Sequence, residues 1–160
     1  MKQLAKLFEH TLMDIYYAEN QILKALPKLA KGAEAAELKE AFKTHLGQTR
    51  EQIERLEQIF EMLGKPAKGA ECEAIKGILK EGDKVFDKFH GSSAQDAGMI
   101  AAAQAVENYE IARYGALRTW AQDLGMDDAA GLLEATLSEE RETDDLLSSL
   151  AESRINADAT

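Results

Sequence analysis

Apolar positions recur in steps of three and four along four long stretches of the chain, and each stretch breaks its own pattern near the middle. The first carries Leu4, Phe8, Leu12, Ile15, Ile22, Leu26 and Leu29 on one helical face, with Glu19 in their midst. The second reads Leu38, Phe42, His45, Thr49, Gln52, Leu56, Ile59, Leu63. The third runs through Ile100, Ala103, Glu107, Glu110, Tyr114, Leu117, Ala121 and Leu124, and the fourth through Ala129, Leu133, Leu137, Glu140, Asp144, Leu147 and Ala151. These patterns predict helices over 2–30, 36–63, 94–124 and 127–153. Pro27 removes a backbone donor in the first of them, so a bend or early loosening is expected there. Gly32 is expected to end it in a left-handed cap, and Ser93 to cap the third stretch. The tail 156–160 has no periodicity and is expected to fray.

The first two helices are joined by a few residues and should lie antiparallel. The second and third are separated by about thirty residues, too many for a tight hairpin. Within that connection Ile75, Ile78, Leu79 and Phe86 predict a shorter amphipathic helix over 72–89. Such a connection suits a crossover that carries the chain back along the bundle and makes the second and third long helices parallel. The expected fold is therefore all-α: one domain over 1–155, a ferritin-like four-helix bundle with an extra short helix in its crossover.

Composition narrows the function classes. A chain of 160 residues with 45% hydrophobic content is long enough to bury one core. A formal charge of −10 argues against nucleic acid and anionic membrane surfaces as partners. No apolar run approaches the roughly 20 residues of a membrane span. The first ten residues carry charges throughout, so a cytoplasmic protein is expected. The single cysteine, Cys72, leaves no partner for an internal disulfide and no thiolate cluster for a metal. It reads as a small buried residue, while His10, Asp87 and His90 read as surface positions.

The interrupted stripes hold the chemistry. Glu19 and His45 lie at similar distances from the first hairpin turn, about twelve and about ten residues, and so at nearly one height at roughly 1.5 Å per residue. Glu110 and Glu140 are similarly placed about the second turn. The four breaks therefore share one cross-section of the bundle, and no Lys or Arg stands on any of these stripe positions. Burying ionised carboxylates without partners costs several kcal/mol each. Two divalent cations would neutralise Glu19, Glu107, Glu110 and Glu140, with His45 adding one imidazole and Asp144 a further carboxylate one turn on. Oxygen-rich ligation without thiolate favours iron or manganese over copper, with zinc and magnesium also compatible. Tyr114 is the phenol best placed to orient a carboxylate, and Gln48 stands beside His45. Tyr16, Tyr17 and Tyr109 read as packing residues.

At this point the chain resembles the stress-induced YciE/YciF proteins, a branch of the ferritin-like superfamily. The resemblance covers nearly the whole chain. It rests on Asp14-Ile-Tyr-Tyr-Ala-Glu-Asn-Gln21, on His45-Leu46 with Thr49, on Gln52-Ile-Glu-Arg-Leu56 and on Cys72-Glu-Ala-Ile-Lys-Gly77. The longest match is Ile100-Ala-Ala-Ala-Gln-Ala-Val-Glu-Asn-Tyr-Glu-Ile-Ala-Arg-Tyr-Gly115, followed by Glu139-Glu140 and Asp144. It implies a helical crossover, a homodimer, and a di-iron or related centre on Glu19, His45, Glu107, Glu110 and Glu140. Two departures stand out. That family carries Glu at the position of Gln48, where an amide removes a charge. None of the three histidines follows a Glu at the Glu-x-x-His spacing of wider ferritin-like enzymes.

Two functions from different classes follow. The first is a metal-dependent stress protein, a di-metal oxidoreductase acting on dioxygen or peroxide. In it Glu107 or Glu140 bridges two ions, Glu19 and His45 are terminal, and Tyr114 orients a ligand. The alternative is a non-catalytic helical bundle whose polar layer fixes helix register, its carboxylates sharing protons in pairs.

Overall fold

The apolar stripes fold as helices over nearly their whole expected length. The computed structural model describes residues 2–160. Among them the chain forms α1 (Lys2–Gly32), α2 (Ala36–Met62), α3 (Glu73–Phe89), α4 (Gln95–Asp123) and α5 (Asp127–Leu150). A π-helical turn, Ala151–Ile155, and a last helical turn, α6 (Asn156–Asp158), follow, and no strand occurs among the described residues. The chain is thus still helical where the pattern predicts a frayed tail. Ala151 and Ile155 are buried and anchor it.

Three local expectations are corrected. Pro27 does not loosen α1 early; the helix continues unbroken to Gly32. Pro27 is exposed, while buried Leu26 and Ala30 hold the helix to the core on either side of it. Gly32 is not a left-handed cap: the positive-φ glycines are Gly64, Gly91 and Gly125. A side chain at Gly32 would instead meet the Phe86 ring at 3.1 Å, so its role is close packing against α3. Ser93 does not cap α4; the neighbouring Ser92 accepts the Ala94 N–H at 3.3 Å.

The helix ends that do follow the sequence show why. After α2, the Lys65 N–H reaches the Phe60 carbonyl (3.0 Å) and the Gly64 N–H that of Glu61 (2.9 Å). After α4, Met126 and Gly125 pair with Ala121 and Gln122 in the same way, at 2.8 and 3.0 Å. Both are Schellman closures, which need a residue at positive φ. The α1–α2 hinge is held from α4: Asp96 accepts the Glu34 and Ala35 N–H groups (3.0 and 2.7 Å), and the Gln95 amide donates to the Gly32 carbonyl (2.8 Å).

These ties orient the bundle. The end of α1 meets the start of α4, so those helices are antiparallel. Pairings of Gln52 with Glu140, Gln48 with Thr143 and Arg154 with Glu37 make α2 and α5 antiparallel too. The helices pack in the ring α1, α2, α5, α4, and α3 lies across α4 and α1 as the crossover. Consequently α2 and α4 run parallel on one diagonal. The core is one continuous cluster along the axis, with Phe8, Leu12, Ile15, Leu56, Ile59, Leu117 and Leu133 among its fully buried members. A polar layer interrupts it halfway.

Candidate metal centre

That layer is made by stripe positions at mid-helix, where a side chain cannot turn away from the core without taking its apolar neighbours with it. Glu19 from α1, Glu110 from α4 and Glu140 from α5 are 0% exposed, Glu107 is 2% and His45 is 4%. One ligand atom from each of His45, Glu107, Glu110 and Glu140 lies within 4.8 Å of the others. Glu19 completes the layer on the far side of Glu110, where the Tyr114 hydroxyl donates to its Oε2 at 3.1 Å. The carboxyl groups of Glu19 and Glu110 are within hydrogen-bonding reach of one another, and so are those of Glu107 and Glu140.

The partners these groups lack are as informative as those they have. Buried carboxylates in proteins normally accept several N–H bonds. Here Glu19 Oε1, Glu107 Oε2, Glu140 Oε2 and both oxygens of Glu110 accept none. Both nitrogens of His45 are also without a hydrogen bond. Nε2 lies 2.8 Å from Glu107 Oε1, but a ring N–H does not point at that oxygen. All but two of the buried polar side-chain atoms lacking a partner, among the described residues, lie in this layer; the exceptions are Gln52 Oε1, beside it, and Arg118 Nε.

Burial dominates the electrostatics. It pushes the Glu19 and Glu107 carboxyls up to about 7, with neighbouring carboxylates adding to the rise. Glu110 and Glu140 are raised well above the ordinary range, first by burial and then by the carboxylates facing them. Tyr114 is raised by the same causes and stays a protonated donor. In the bare protein these acids are therefore held protonated, or share protons, to a pH where ordinary glutamates are ionised.

Of the residues expected at the site, Glu19, His45, Glu107, Glu110, Glu140 and Tyr114 meet in the layer; two others sit apart. Asp144 is half-buried one turn beyond Glu140 and accepts from Gln104 and Asn108 on α4, at 3.3 Å each. Its charge still reaches Glu107 and helps raise it. Gln48 is half-buried at the α2–α5 seam and accepts from Thr143 at 3.4 Å. Gln48 departs from the stripe, which passes through Thr49. The amide that does touch the cluster is Gln52, buried, donating to Glu140 Oε1 at 2.6 Å. Beyond it Arg55 pairs with Glu139 and donates to Thr136. The stripe already contained Gln52, seven residues after His45. Its ability to satisfy any polar neighbour hid the particular one.

The donor set fits a cation. Several unpartnered carboxylate oxygens converge with an imidazole whose two nitrogens carry no hydrogen bond, in a buried space, on four helices.

The family described as Domain of unknown function (DUF892) matches residues 3–160. Protein YciF of Escherichia coli (strain K12) is 42% identical over 160 residues, covering 99% of this chain and 96% of that protein. The crystal structure of the E. coli stress protein YciF superposes with a TM-score of 0.91 at 43% identity, covering 98% of this chain and 99% of the other. YcfI of Rhodopseudomonas palustris, a candidate structural protein, superposes with a TM-score of 0.89 at 44% identity over 91% of this chain and 93% of its own. A Xanthomonas campestris protein at 23% identity and a TM-score of 0.76, covering 99% and 96% of the two chains, shares the fold.

Proposed function

Because the chain belongs to the DUF892 family, whose description assigns no function, we propose that it is a stress protein built on a ferritin-like bundle with a dinuclear metal centre. His45, Glu107, Glu110 and Glu140 would hold one ion and Glu19 would contribute to a second, with Glu110 and Glu140 in reach of both. The observation that carries this reading is His45: a buried imidazole with neither nitrogen hydrogen-bonded, set against three carboxylates. Protons alone satisfy carboxyl pairs but leave that ring unserved. Iron or manganese bound there would supply redox chemistry toward dioxygen or peroxide. The protein's part is to exclude water, fix the ligands on rigid helices, and orient Glu19 through Tyr114 and Glu140 through Gln52. Assembly as a cytoplasmic homodimer, which the resemblance implies, belongs to the same proposal and is checked by sedimentation equilibrium.

Elemental analysis after metal-supplemented preparation tests it. About two ions per chain are expected, the number that balances four carboxylates. Less than about half an ion per chain would overturn the proposal.

A second reading has its own support. The facing carboxyl pairs Glu19–Glu110 and Glu107–Glu140 can each share a proton, and burial raises all four. In that reading the layer fixes helix register and the bundle is structural.

A further inference from the structure

One side of the layer lies close to a groove at the surface. His45 and Glu107 border an apolar space of about 30 Å³, whose wall includes Ala25, Leu29, Leu79, Ala103 and Val106. Those same five residues line a groove of about 440 Å³ between α1, α3 and α4. Groove and inner space are thus neighbours on either side of these residues, with the imidazole on the inner side. Ile78, Phe86 and Met99 make the rest of the groove apolar.

The groove's rim is cationic. Lys24 and Lys28 from α1 and Lys76 and Lys80 from α3 stand around it, on a chain whose formal charge is −10. Lys28 is tied to Asp83 at 3.3 Å, itself on the rim, and Lys76 to Glu71 at 2.8 Å. Lys24 and Lys80 are exposed and have no ion-pair partner among the described residues. An apolar cleft of this size with a few convergent charges of one sign is the usual form of a small-molecule site. The lysines select an anion and the lining an aliphatic body. The inner space is apolar and far too small for a charged group, so the headgroup stays at the lysine rim.

We propose that this groove binds an aliphatic carboxylate, its headgroup at the lysine rim and its apolar end toward His45 and Glu107. This rests on the metal-centre reading only in naming the class of molecule held beside the centre. The binding step itself needs only the groove.

Calorimetric titration of the metal-free protein with decanoate, below its micellar range, tests the groove; metal titration of the same preparation reports on the cluster separately. Decanoate binds one per chain, weakens as salt is added, and binds about tenfold or more tighter than decylamine. Combining Lys24→Glu with Lys80→Glu weakens decanoate by about tenfold or more, while the exposed positions leave helicity and metal uptake unchanged. Lys24→Arg with Lys80→Arg keeps the affinity, and Ala25→Trp abolishes binding by filling the groove. Absence of saturable decanoate binding, equal binding of decylamine, or full affinity in the charge-reversed variant would overturn the proposal.

Discussion

Asp96 and Glu110 are both buried acids on α4, and they are buried in opposite ways. Asp96 accepts the backbone N–H groups of Glu34 and Ala35 and a bond from Gln95, so its desolvation is offset by donors. Glu110 accepts nothing at either oxygen and faces other carboxyls. The first is explained by the fold it helps to hold. The second has no such donors in the fold, and the two readings of the layer account for it differently, by a bound cation or by shared protons. Glu110→Leu separates the readings of the layer: the metal-free variant is expected to be at least as stable as the parent near neutral pH, because an apolar side chain replaces an uncompensated acid. Metal added at about a hundredfold its dissociation constant should stabilise the parent by about 2.7 kcal/mol and the variant by none. Thermal melts with and without metal measure both; an undiminished metal effect in the variant contradicts the metal reading. Tyr114→Phe removes the one hydroxyl bonded to Glu19. We expect urea denaturation of the metal-free protein to show a loss of about 1–3 kcal/mol.

At the scale of elements, the site depends on α3 lying close to α4, since the groove and its inner wall run between them and α1. Glycine permits the approach. A Cβ on Gly98 would stand 2.8 Å from Val85 Cγ1, and one on Gly82 would stand 3.3 Å from Ala102. Gly131 on α5 has open space around it and contributes only its helix-weakening flexibility. Gly98→Leu should therefore cost about 1–3 kcal/mol by forcing α3 outward. Gly131→Ala should add about 0.5–1 kcal/mol. Chemical denaturation of the two variants checks the contrast, and equal effects would contradict the packing argument.

For the whole molecule, the layer couples stability to pH and to metal in opposite directions. Glu19 and Glu107 hold protons up to about 7 in the folded bare protein, against 4.5 for an ordinary glutamate. Below about 4.5 both folded and unfolded chains bind these protons, and the stabilisation is fully present. Between 4.5 and 7 only the folded chain keeps them, so stability falls as pH rises and the contribution is gone above about 7. The urea midpoint of the metal-free protein is thus expected to drop from about pH 5 to about pH 8. Bound metal requires the ionised carboxylates and the free imidazole lone pair, so metal-dependent stabilisation should grow over the same interval. A flat profile for the metal-free protein would mean that the acids are not desolvated in solution as they are here.

The periodicity of the chain was sufficient for the helices, the crossover and the membership of the layer. A step of 3.6 residues per turn ties each polar break to the apolar residues above and below it, and burying those buries the break. The resemblance to the family came from particular residues instead, above all the run Ile100–Gly115 with Glu139, Glu140 and Asp144. What periodicity lacks is direction across the gaps between helices. Asp144 and Gln48 lie near the same stripes, yet Gln104, Asn108 and Thr143 take them up, while Gln52 is the amide that reaches Glu140. Gly32 does end α1, but without the positive φ that a glycine after a stripe suggests; the Phe86 ring set against it by the fold made it a packing residue. The lysine rim assembles from two helices some fifty residues apart in sequence, where no spacing rule applies. Sequence fixes what each helix must bury, because the constraint is local. Which buried groups meet was decided by the packing of one helix on another.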